Sequence, residues 1–435
     1  MNKKKESLKV SVAEGVFASA MTGFTQDYFA PFLLILGGTV QQIGLLSALP
    51  NLSASLVQLK SAALVNWLGS RKRMINISVF LQAMALLPMI ILAFYGVKEP
   101  FFFIGLVVLF TCFGALASPA WSSLMSDLVE PAERGRYFGW RNKILGFAAV
   151  LAGFIAGFIL YAMRKTDIFR AFAFLFAAAF VWRVISWYNL RKMYEPPLHN
   201  KGDNYFTLFQ FLKRLKKSNF AKFVVFSALM SFSVNIASPF FAVLMLKDLK
   251  FNYLLYTMVV LAATLAMHAA IARWGRHADR TGNLKVIKIT ASLVGFIPLL
   301  WIISQNPFYL IGTQIFSGFI WAGFNICTSN FIYDAVSPEK RTRCIAYFNT
   351  LNGGALCLGA VLGGFLLPFL PPLFGYKILT LFVISSLLRI IIGLLLPRKL
   401  KEVRAVEPIN SEQLFFSMVG IRPISGIERK TISYE

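Results

Sequence analysis

Long apolar segments constrain this chain most, because each is long enough to cross a lipid bilayer. A membrane-spanning helix needs about 20 mostly apolar residues, so that every backbone amide is paired within the segment. With 57% hydrophobic and 14% charged residues over 435 positions, a water-soluble fold would expose too much apolar surface. We therefore predict an all-α integral membrane protein with twelve transmembrane helices. These are expected at 11–36, 43–66, 74–96, 101–125, 141–163, 170–190, 221–246, 253–274, 286–304, 308–333, 344–369 and 375–397.

Two stretches of the sequence repeat each other 207 residues apart. The first copy contains Asp127, Pro131, Arg134, Arg136, Asn142, Gly146 and Gly157, and the second contains Asp334, Pro338, Arg341, Arg343, Asn349, Gly353 and Gly364. Each copy joins the end of one apolar segment to the start of the next. Further pairs lie outside the motif: Phe24 with Phe232, Pro31 with Pro239, Phe32 with Phe240 and Arg183 with Arg389. Duplication of a whole six-helix half explains these pairs.

The repeat and the polar stretches divide the chain into five parts. We predict a cytoplasmic N-terminus at 1–10, a first six-helix half at 11–190 and a basic cytoplasmic linker at 191–220. A second, pseudo-symmetric half follows at 221–397, and a cytoplasmic tail at 398–435.

The net charge of +25 is explained by membrane topology. Most of the 44 Lys and Arg fall in the termini and in alternate loops, and the positive-inside rule assigns that side to the cytoplasm. We expect a multi-pass protein of the cell membrane with both termini cytoplasmic, attracted to anionic lipid but not to nucleic acid. We also expect a monomer.

The turn after the eighth segment resembles a known family. Gly275, Asp279, Arg280, Gly282 and Lys285 follow the pattern Gly-x-x-x-Asp-Arg-x-Gly-x-x-Lys. This pattern, the two six-helix halves and the basic linker resemble the major facilitator superfamily. The turn after the second segment keeps only Gly69 and Lys72 of the same motif. The resemblance implies a secondary transporter that moves a solute by alternating access.

Residues of these turns and of the repeat are candidates for a cytoplasmic gate, in which opposite charges hold the helix ends together. The alternative is that the charges only anchor the topology. The candidates are Gly69, Asp127, Arg134, Arg136, Gly275, Asp279, Arg280, Gly282, Asp334, Arg341 and Arg343.

Asp27, in the middle of the first segment, is the strongest coupling candidate. An ionisable side chain within the bilayer is costly and is a functional hypothesis by default. Asp27 follows Gln26, and its repeat counterpart is Asn235. It could bind a proton, a sodium ion or an amine, or it could be a buried carboxylate satisfied by neighbouring hydroxyls.

Other polar side chains fall on helices that line the central cavity in the resembled family. They suit a small neutral or zwitterionic organic solute, and hydrogen bonding between helices is the alternative for each. With Asp27, the substrate candidates are Gln26, Gln58, Trp121, Asn235, Trp321, Asn325, Ser329 and Asn349. For Glu14 we favour a structural role near the cytoplasmic interface. For Arg183 and Arg389 we favour structural or lipid-facing roles.

The sequence carries no motif for catalysis or for a cofactor. Its four cysteines form no Cys-x-x-Cys pair, and no phosphate-binding loop or nucleophile elbow is present. We expect no enzyme activity, no cofactor and no metal site. Two alternatives to a transporter remain: a transporter-like membrane sensor whose output element is the tail, and a lipid-handling membrane protein on the same fold. The sequence identifies neither the solute nor the direction of transport.

Overall fold

The computed structural model describes residues 2–130, 133–197, 218–336 and 338–403, without the side chains of residues 2, 62, 134–136 and 338–343. Within these ranges the backbone is nearly all helical, and the one β-type pairing is an isolated bridge between Leu373 and Tyr376. The predicted all-α fold is confirmed. Residues 198–217 and 404–435, which make up most of the predicted linker and tail, lie outside the described residues.

The described helices follow one another with short connections. Before the predicted linker these are α1 (Asn2–Thr25), α2 (Phe29–Ile35), α3 (Val40–Gln58), α4 (Ser61–Leu68), α5 (Arg71–Met84), α6 (Leu86–Tyr95), α7 (Pro100–Leu128), α8 (Arg134–Met163) and α9 (Ile168–Leu190). After it come α10 (Asn219–Asn235), α11 (Phe240–Val243), α12 (Tyr253–Thr281), α13 (Asn283–Ile303), α14 (Pro307–Ala335), α15 (Pro338–Leu366) and α16 (Lys377–Leu395). A 3₁₀ turn, Gln26–Tyr28, joins α1 to α2.

Ten helical runs in the described ranges are long and apolar enough to cross a membrane. They cover the third to twelfth predicted segments. The first two predicted segments, 11–36 and 43–66, coincide with the interrupted helix pairs α1–α2 and α3–α4. The described surface carries many large apolar side chains, among them Phe147, Phe158, Leu358 and Phe365. Such a surface fits lipid better than water.

Prolines explain three of the helix interruptions. A proline has no N–H for the carbonyl four residues earlier, so that carbonyl loses its helical donor. Pro31 affects Asp27 in the turn between α1 and α2, Pro88 affects Met84 at the end of α5, and Pro239 affects Asn235 at the end of α10. Pro31 and Pro239 are repeat partners, so the same interruption occurs in both halves. Other prolines, such as Pro119 in α7, lie in helices that continue through them.

The fold divides into two compact units. The first contains the described residues of Met1–Asp203 together with Ser231–Leu261 and Ala346–Phe382, and the second contains those of Asn204–Met230, Ala262–Ile345 and Val383–Glu435. Parts of α10, α12 and α15 thus pack with the first half of the sequence. The two-half division inferred from the repeat describes the sequence duplication and stays a prediction.

Aromatic side chains form the centre of the first unit. Phe32 is completely buried, and its ring centroid lies 4.9 Å from that of Phe103 and 4.9 Å from that of Phe172. Phe29 and Phe176 extend the same cluster. This cluster ties α2 to α7 and α9, and so fixes the position of the turn that precedes α2.

The second unit has aromatic contacts of its own. The Phe223 and Phe331 rings pack with centroids 4.5 Å apart, which joins α10 to α14. The indole nitrogen of Trp274 donates to the Phe319 carbonyl at 2.7 Å. The helices α13 and α14 also pack against each other in this unit.

Candidate functional site

Asp27 lies in the 3₁₀ turn between α1 and α2. The hydroxyl of Thr25 donates back to the Met21 carbonyl at 2.9 Å, which competes with regular helical bonding at the end of α1. Pro31 leaves the Asp27 carbonyl without its helical donor. The Tyr256 hydroxyl supplies the missing hydrogen bond at 2.7 Å. The turn is therefore stabilised by a residue of α12.

The Asp27 side chain lines a cavity of about 650 Å³ in the first unit, which we call the Asp27 cavity. Gln26 and Gln58, two of the predicted substrate residues, line the same cavity. Its other polar lining residues are Ser47, Asn51, Gln82, Thr111, Ser238 and Tyr256. Among the described residues, the Asp27 carboxylate has no hydrogen-bond or ion-pair partner. The predicted alternative, a carboxylate satisfied by neighbouring hydroxyls, does not describe this geometry.

The remaining predicted substrate residues are not in that cavity. Asn235 donates to the Ser231 carbonyl at 2.9 Å within its own helix. Asn349 is half-buried in α15. Trp321, Asn325 and Ser329 belong to the second unit, where Trp321 packs edge-on against Phe324 and both polar side chains are exposed.

Trp121 lines a different cavity of about 340 Å³, which we call the charged cavity. Its wall contains Glu14, Arg141 and Arg183, whose exposed fractions are 5%, 6% and 7%. Arg141 donates to the Glu14 carboxylate at 3.4 Å, and its guanidinium stacks over the Trp121 ring at 4.5 Å. The Glu14 side chain is thus buried within the first unit, where the neighbouring Arg141 compensates its charge. The structural role favoured for Glu14 fits this pairing and stays a prediction.

Arg183 is joined to the same cluster through small polar groups. The Ser186 hydroxyl donates to Glu14 at 3.2 Å and accepts from Arg183 at 3.2 Å. A second nitrogen of Arg183 donates to the Gln82 side chain. A lipid-facing role for Arg183 is therefore wrong. Its repeat partner Arg389 is also buried, and its Nε donates to Ser385 at 3.0 Å.

Asp127, a gate candidate, holds the start of α5 in the first unit. Its carboxylate accepts from Arg71 at 2.6 Å, and Arg71 is nearly fully buried. Glu195 accepts from the Arg71 backbone N–H at 2.7 Å and from the Ser70 hydroxyl at 2.5 Å. A carboxylate at a helix N-terminus is stabilised by the unpaired N–H groups and the helix dipole.

The second unit repeats this arrangement at the start of α13. Asp334 accepts from the Asn283 side chain at 2.7 Å, and Glu402 accepts from the Leu284 backbone N–H at 2.7 Å. The turn itself requires glycine in both units, because φ is +66° at Gly69 and +90° at Gly282. The two halves therefore share one way of fixing a helix start.

The other gate candidates are distributed around these two turns. Gly275 lies inside α12, so the turn there begins only at Gly282. Asp279 and Arg280 lie in the last turn of α12, beside the second turn. The side chains of Arg134, Arg136, Arg341 and Arg343 lie outside the described part of the structure.

A third set of contacts, all in the first unit, joins α2 and its preceding turn to α8 and α12. The buried Tyr28 hydroxyl contacts the Gly153 carbonyl at 2.5 Å and the Thr257 hydroxyl at 2.9 Å. Gly157 faces Thr257 so closely that an added Cβ would lie 2.6 Å from the Thr257 Cβ. This close approach depends on the absence of a side chain at Gly157.

Comparison with known families identifies the fold. The model of the Major Facilitator Superfamily matches residues 15–266 and again residues 223–427. The chain belongs to this superfamily. It is a multi-pass integral membrane protein of a transporter family. No curated protein matches the sequence significantly.

Several solved superfamily structures are similar to this chain. The nucleoside transporter NupG has a TM-score of 0.66 at 16% identity, with 92% of this chain and 100% of that chain covered. A bacterial homologue of the iron transporter ferroportin, in the inward-facing state, has a TM-score of 0.63 at 14% identity, covering 91% and 98%. The human organic anion transporter MFSD10 (TETRAN) has a TM-score of 0.59 at 13% identity, covering 90% and 99%. At these identities the likeness demonstrates the superfamily fold alone.

Sequence reasoning missed four residues of these sites. Glu195 and Glu402 were detectable, because they belong to one more repeated motif with the same offset of 207. The two copies are Arg191-Lys192-x-x-Glu195 and Arg398-Lys399-x-x-Glu402. Arg141 was assigned to the edge of the predicted segment 141–163, whereas α8 begins at Arg134 and places it about two turns inside the helix. Gln82 carries no sequence signal beyond its polarity.

Proposed function

We propose that this protein is a secondary transporter that moves a small organic solute by alternating access. The observation that carries the proposal is the unpaired Asp27 carboxylate on the wall of a polar cavity, at a helix interruption. Interrupted helices and polar cavities of this kind hold solutes and coupling ions in secondary transporters. An unpaired carboxylate within the bilayer is costly, so it is retained where it binds something.

Asp27 is proposed as the coupling residue, with a proton or a sodium ion as its partner. In the empty cavity the carboxylate is poised to take up a cation. Neutralising the carboxylate would leave the transporter able to exchange solute but unable to use an ion gradient. We also propose that the protein is a monomer in the cell membrane and that both of its termini lie in the cytoplasm.

Uptake into proteoliposomes tests this proposal. Thermal-shift screening of sugars, amino acids and organic acids first identifies a solute that stabilises the folded protein. Labelled solute uptake is then measured with and without imposed proton and sodium gradients. We expect Asp27→Asn to abolish the stimulation by the gradient. Glu6→Gln, at an exposed position on the preceding helix α1, should leave it unchanged. Full gradient dependence in Asp27→Asn would remove Asp27 from the coupling role.

Alternating access is supported by contacts at the turn that contains Tyr28 and by the charged clusters around Asp127 and Asp334. The Tyr28, Gly157 and Thr257 contacts pack parts of both sequence halves together, and we propose that they close one end of the solute pathway. The Asp127 and Asp334 clusters would form the gate at the cytoplasmic end. Charge-neutralising Asp279 and Asp334 together should shift the conformational equilibrium, measured by the reactivity of cysteines introduced on either side of the pathway. An unchanged equilibrium and transport rate would refute the gate.

The two alternatives make different predictions. A transporter-like sensor would lose its output when residues 404–435 are deleted, while solute uptake by the purified protein would be absent from the start. A lipid-handling protein would redistribute labelled lipid between leaflets of a liposome. The polar lining of the Asp27 cavity favours a water-soluble solute over a lipid.

A further inference from the structure

The charged cavity contains more positive than negative charge, although all its ionisable side chains are buried. Two guanidinium groups, those of Arg141 and Arg183, face the single carboxylate of Glu14. Burying an ion without a counter-charge is strongly unfavourable. An excess buried charge is therefore expected where a ligand of opposite charge completes the site.

The hydrogen-bond inventory of the two arginines also leaves donors available. The Nε–H of Arg183 is buried without a partner among the described residues. Arg141 uses Nε and Nη2 on the Ser11 carbonyl and on Glu14, and no bond from its Nη1 occurs within the described part. A buried donor without an acceptor destabilises the fold, and an incoming anion would supply the missing acceptor.

Trp121 gives the cavity an apolar wall beside the cations. Its ring stacks on the Arg141 guanidinium, which fixes the orientation of that group. Met21, Ile75 and Val79 continue the apolar lining. A site with fixed guanidinium groups and an apolar wall suits a planar organic anion better than a small inorganic one.

The charged cavity and the Asp27 cavity share a wall. Gln82 and Gly114 line both cavities, and Gln82 accepts a hydrogen bond from Arg183. Gly114 leaves room for the Gln82 amide, because an added Cβ would lie 3.2 Å from the Gln82 Cδ. A solute in one cavity is thus next to the other.

The arginine and glutamate of this cluster are not repeated in the second half of the sequence. At the offset of 207 the counterpart of Arg141 is Phe348, and at the offset of 208 that pairs Phe24 with Phe232 the counterpart of Glu14 is Lys222. Only the first half has the arginine–glutamate pair. A feature of one half alone fits solute recognition better than a rocking motion that both halves perform.

We propose that the charged cavity is a subsite for the carboxylate of an organic solute, held by Arg141 and Arg183, with Glu14 as the resident counter-ion that the solute displaces. This proposal rests on the proposed transport function, since it names the chemical class of the solute. It predicts opposite effects for substitutions of Glu14 and for substitutions of the two arginines. Removing either arginine weakens carboxylate binding, and removing Glu14 strengthens it.

Thermal unfolding of the purified full-length protein in lipid-free detergent tests the subsite. The probes are benzoate, its neutral isostere benzamide, acetate, inorganic phosphate and sodium chloride, all at equal ionic strength. We expect benzoate to raise the unfolding midpoint saturably and benzamide and chloride not to. Glu14→Gln should lower the half-saturating benzoate concentration by about tenfold, and Arg183→Gln and Arg141→Gln should each raise it by about tenfold or more.

Two controls keep the outcome interpretable. Lys143→Gln removes an exposed charge two residues from Arg141 on α8 and should leave benzoate binding unchanged. Arg183→Lys keeps the charge if Arg183→Gln does not fold, and should weaken benzoate less than any neutral replacement. The proposal is wrong if neither benzoate nor acetate binds saturably, if benzamide, phosphate or chloride acts as well as benzoate, or if Glu14→Gln weakens binding. Solute uptake without benzoate binding would refute only the subsite, and benzoate binding without any transport would refute only the transporter.

Discussion

The Tyr256 hydroxyl donates a hydrogen bond of 2.7 Å to the main-chain carbonyl of Asp27. This carbonyl is the one that Pro31 deprives of its helical donor. The bond therefore replaces a missing backbone interaction rather than adding to a complete set. Tyr256 fixes the backbone of the turn and leaves the Asp27 carboxylate directed into its cavity.

A double-mutant cycle of Tyr256 and Pro31 tests this replacement. Tyr256→Phe should lower the free energy of unfolding by about 1 kcal/mol, because the Asp27 carbonyl loses the donor that Tyr256 supplies. Pro31→Ala restores the helical N–H, so Tyr256→Phe should cost much less in that background. Tyr253→Phe on the same helix is the control. Equal costs of Tyr256→Phe in both backgrounds would contradict the replacement.

The glutamates at the starts of α5 and α13 should stabilise their units to a similar extent. Glu195→Gln and Glu402→Gln each remove a charged acceptor from helix N-terminal N–H groups. We expect each to lower stability by about 1 kcal/mol, as for the loss of a helix cap. Thermal unfolding measures the effect, with the exposed Glu130→Gln as control. A Glu130→Gln effect as large as the other two would show that general charge balance, not capping, is responsible.

Two glycines of the same superfamily motif should respond oppositely to alanine. Gly275 is helical, and an added Cβ there meets no atom within 4 Å. Gly275→Ala should therefore stabilise the protein by up to about 1 kcal/mol. Gly282 has a φ of +90°, and its added Cβ would lie 2.9 Å from the Glu402 Cδ, so Gly282→Ala should destabilise by about 1–2 kcal/mol. Calorimetry of both variants decides this, and a neutral Gly282→Ala would contradict the strained turn.

Gly157→Ala should prevent the close approach of α8 to α12. If this approach closes one end of the pathway, a cysteine introduced near Thr257 should become at least about tenfold more reactive toward a water-soluble thiol reagent when that end opens. Gly354→Ala, where an added Cβ meets no atom within 4 Å, is the control in α15. Unchanged reactivity in a folded Gly157→Ala variant would exclude this contact from the closure.

Bilayer thickness and the repeat made the fold predictable from the sequence. The length and apolar composition of the segments predicted the ten membrane-spanning runs, and the offset of 207 aligns the turns at Asp127 and Asp334. The sequence did not indicate how each helix is rotated about its axis. Gln26, Asp27 and Gln58 share a cavity while Trp121 lies in another, and this difference depends on packing between α1, α3 and α7.

Buried charge was the hardest feature to predict. A structural role near the cytoplasmic interface was predicted for Glu14, because it lies about one turn into the predicted segment 11–36. Its burial becomes acceptable only when Arg141 and Ser186 arrive from two other helices, 127 and 172 residues further along the chain. Partners so distant in the sequence cannot be predicted from the local sequence around Glu14.

The hydrogen bond between Tyr256 and Asp27 also has a consequence for how the chain is made. The donor is encoded 229 residues after its acceptor. At about 5–20 residues per second, a ribosome needs on the order of 10–45 s to synthesise that interval. The first helix must therefore enter the membrane with one carbonyl unsatisfied or solvated, and a segment of the duplicated half later completes it. At this turn the first half obtains a donor for its backbone carbonyl only after the second half has been made.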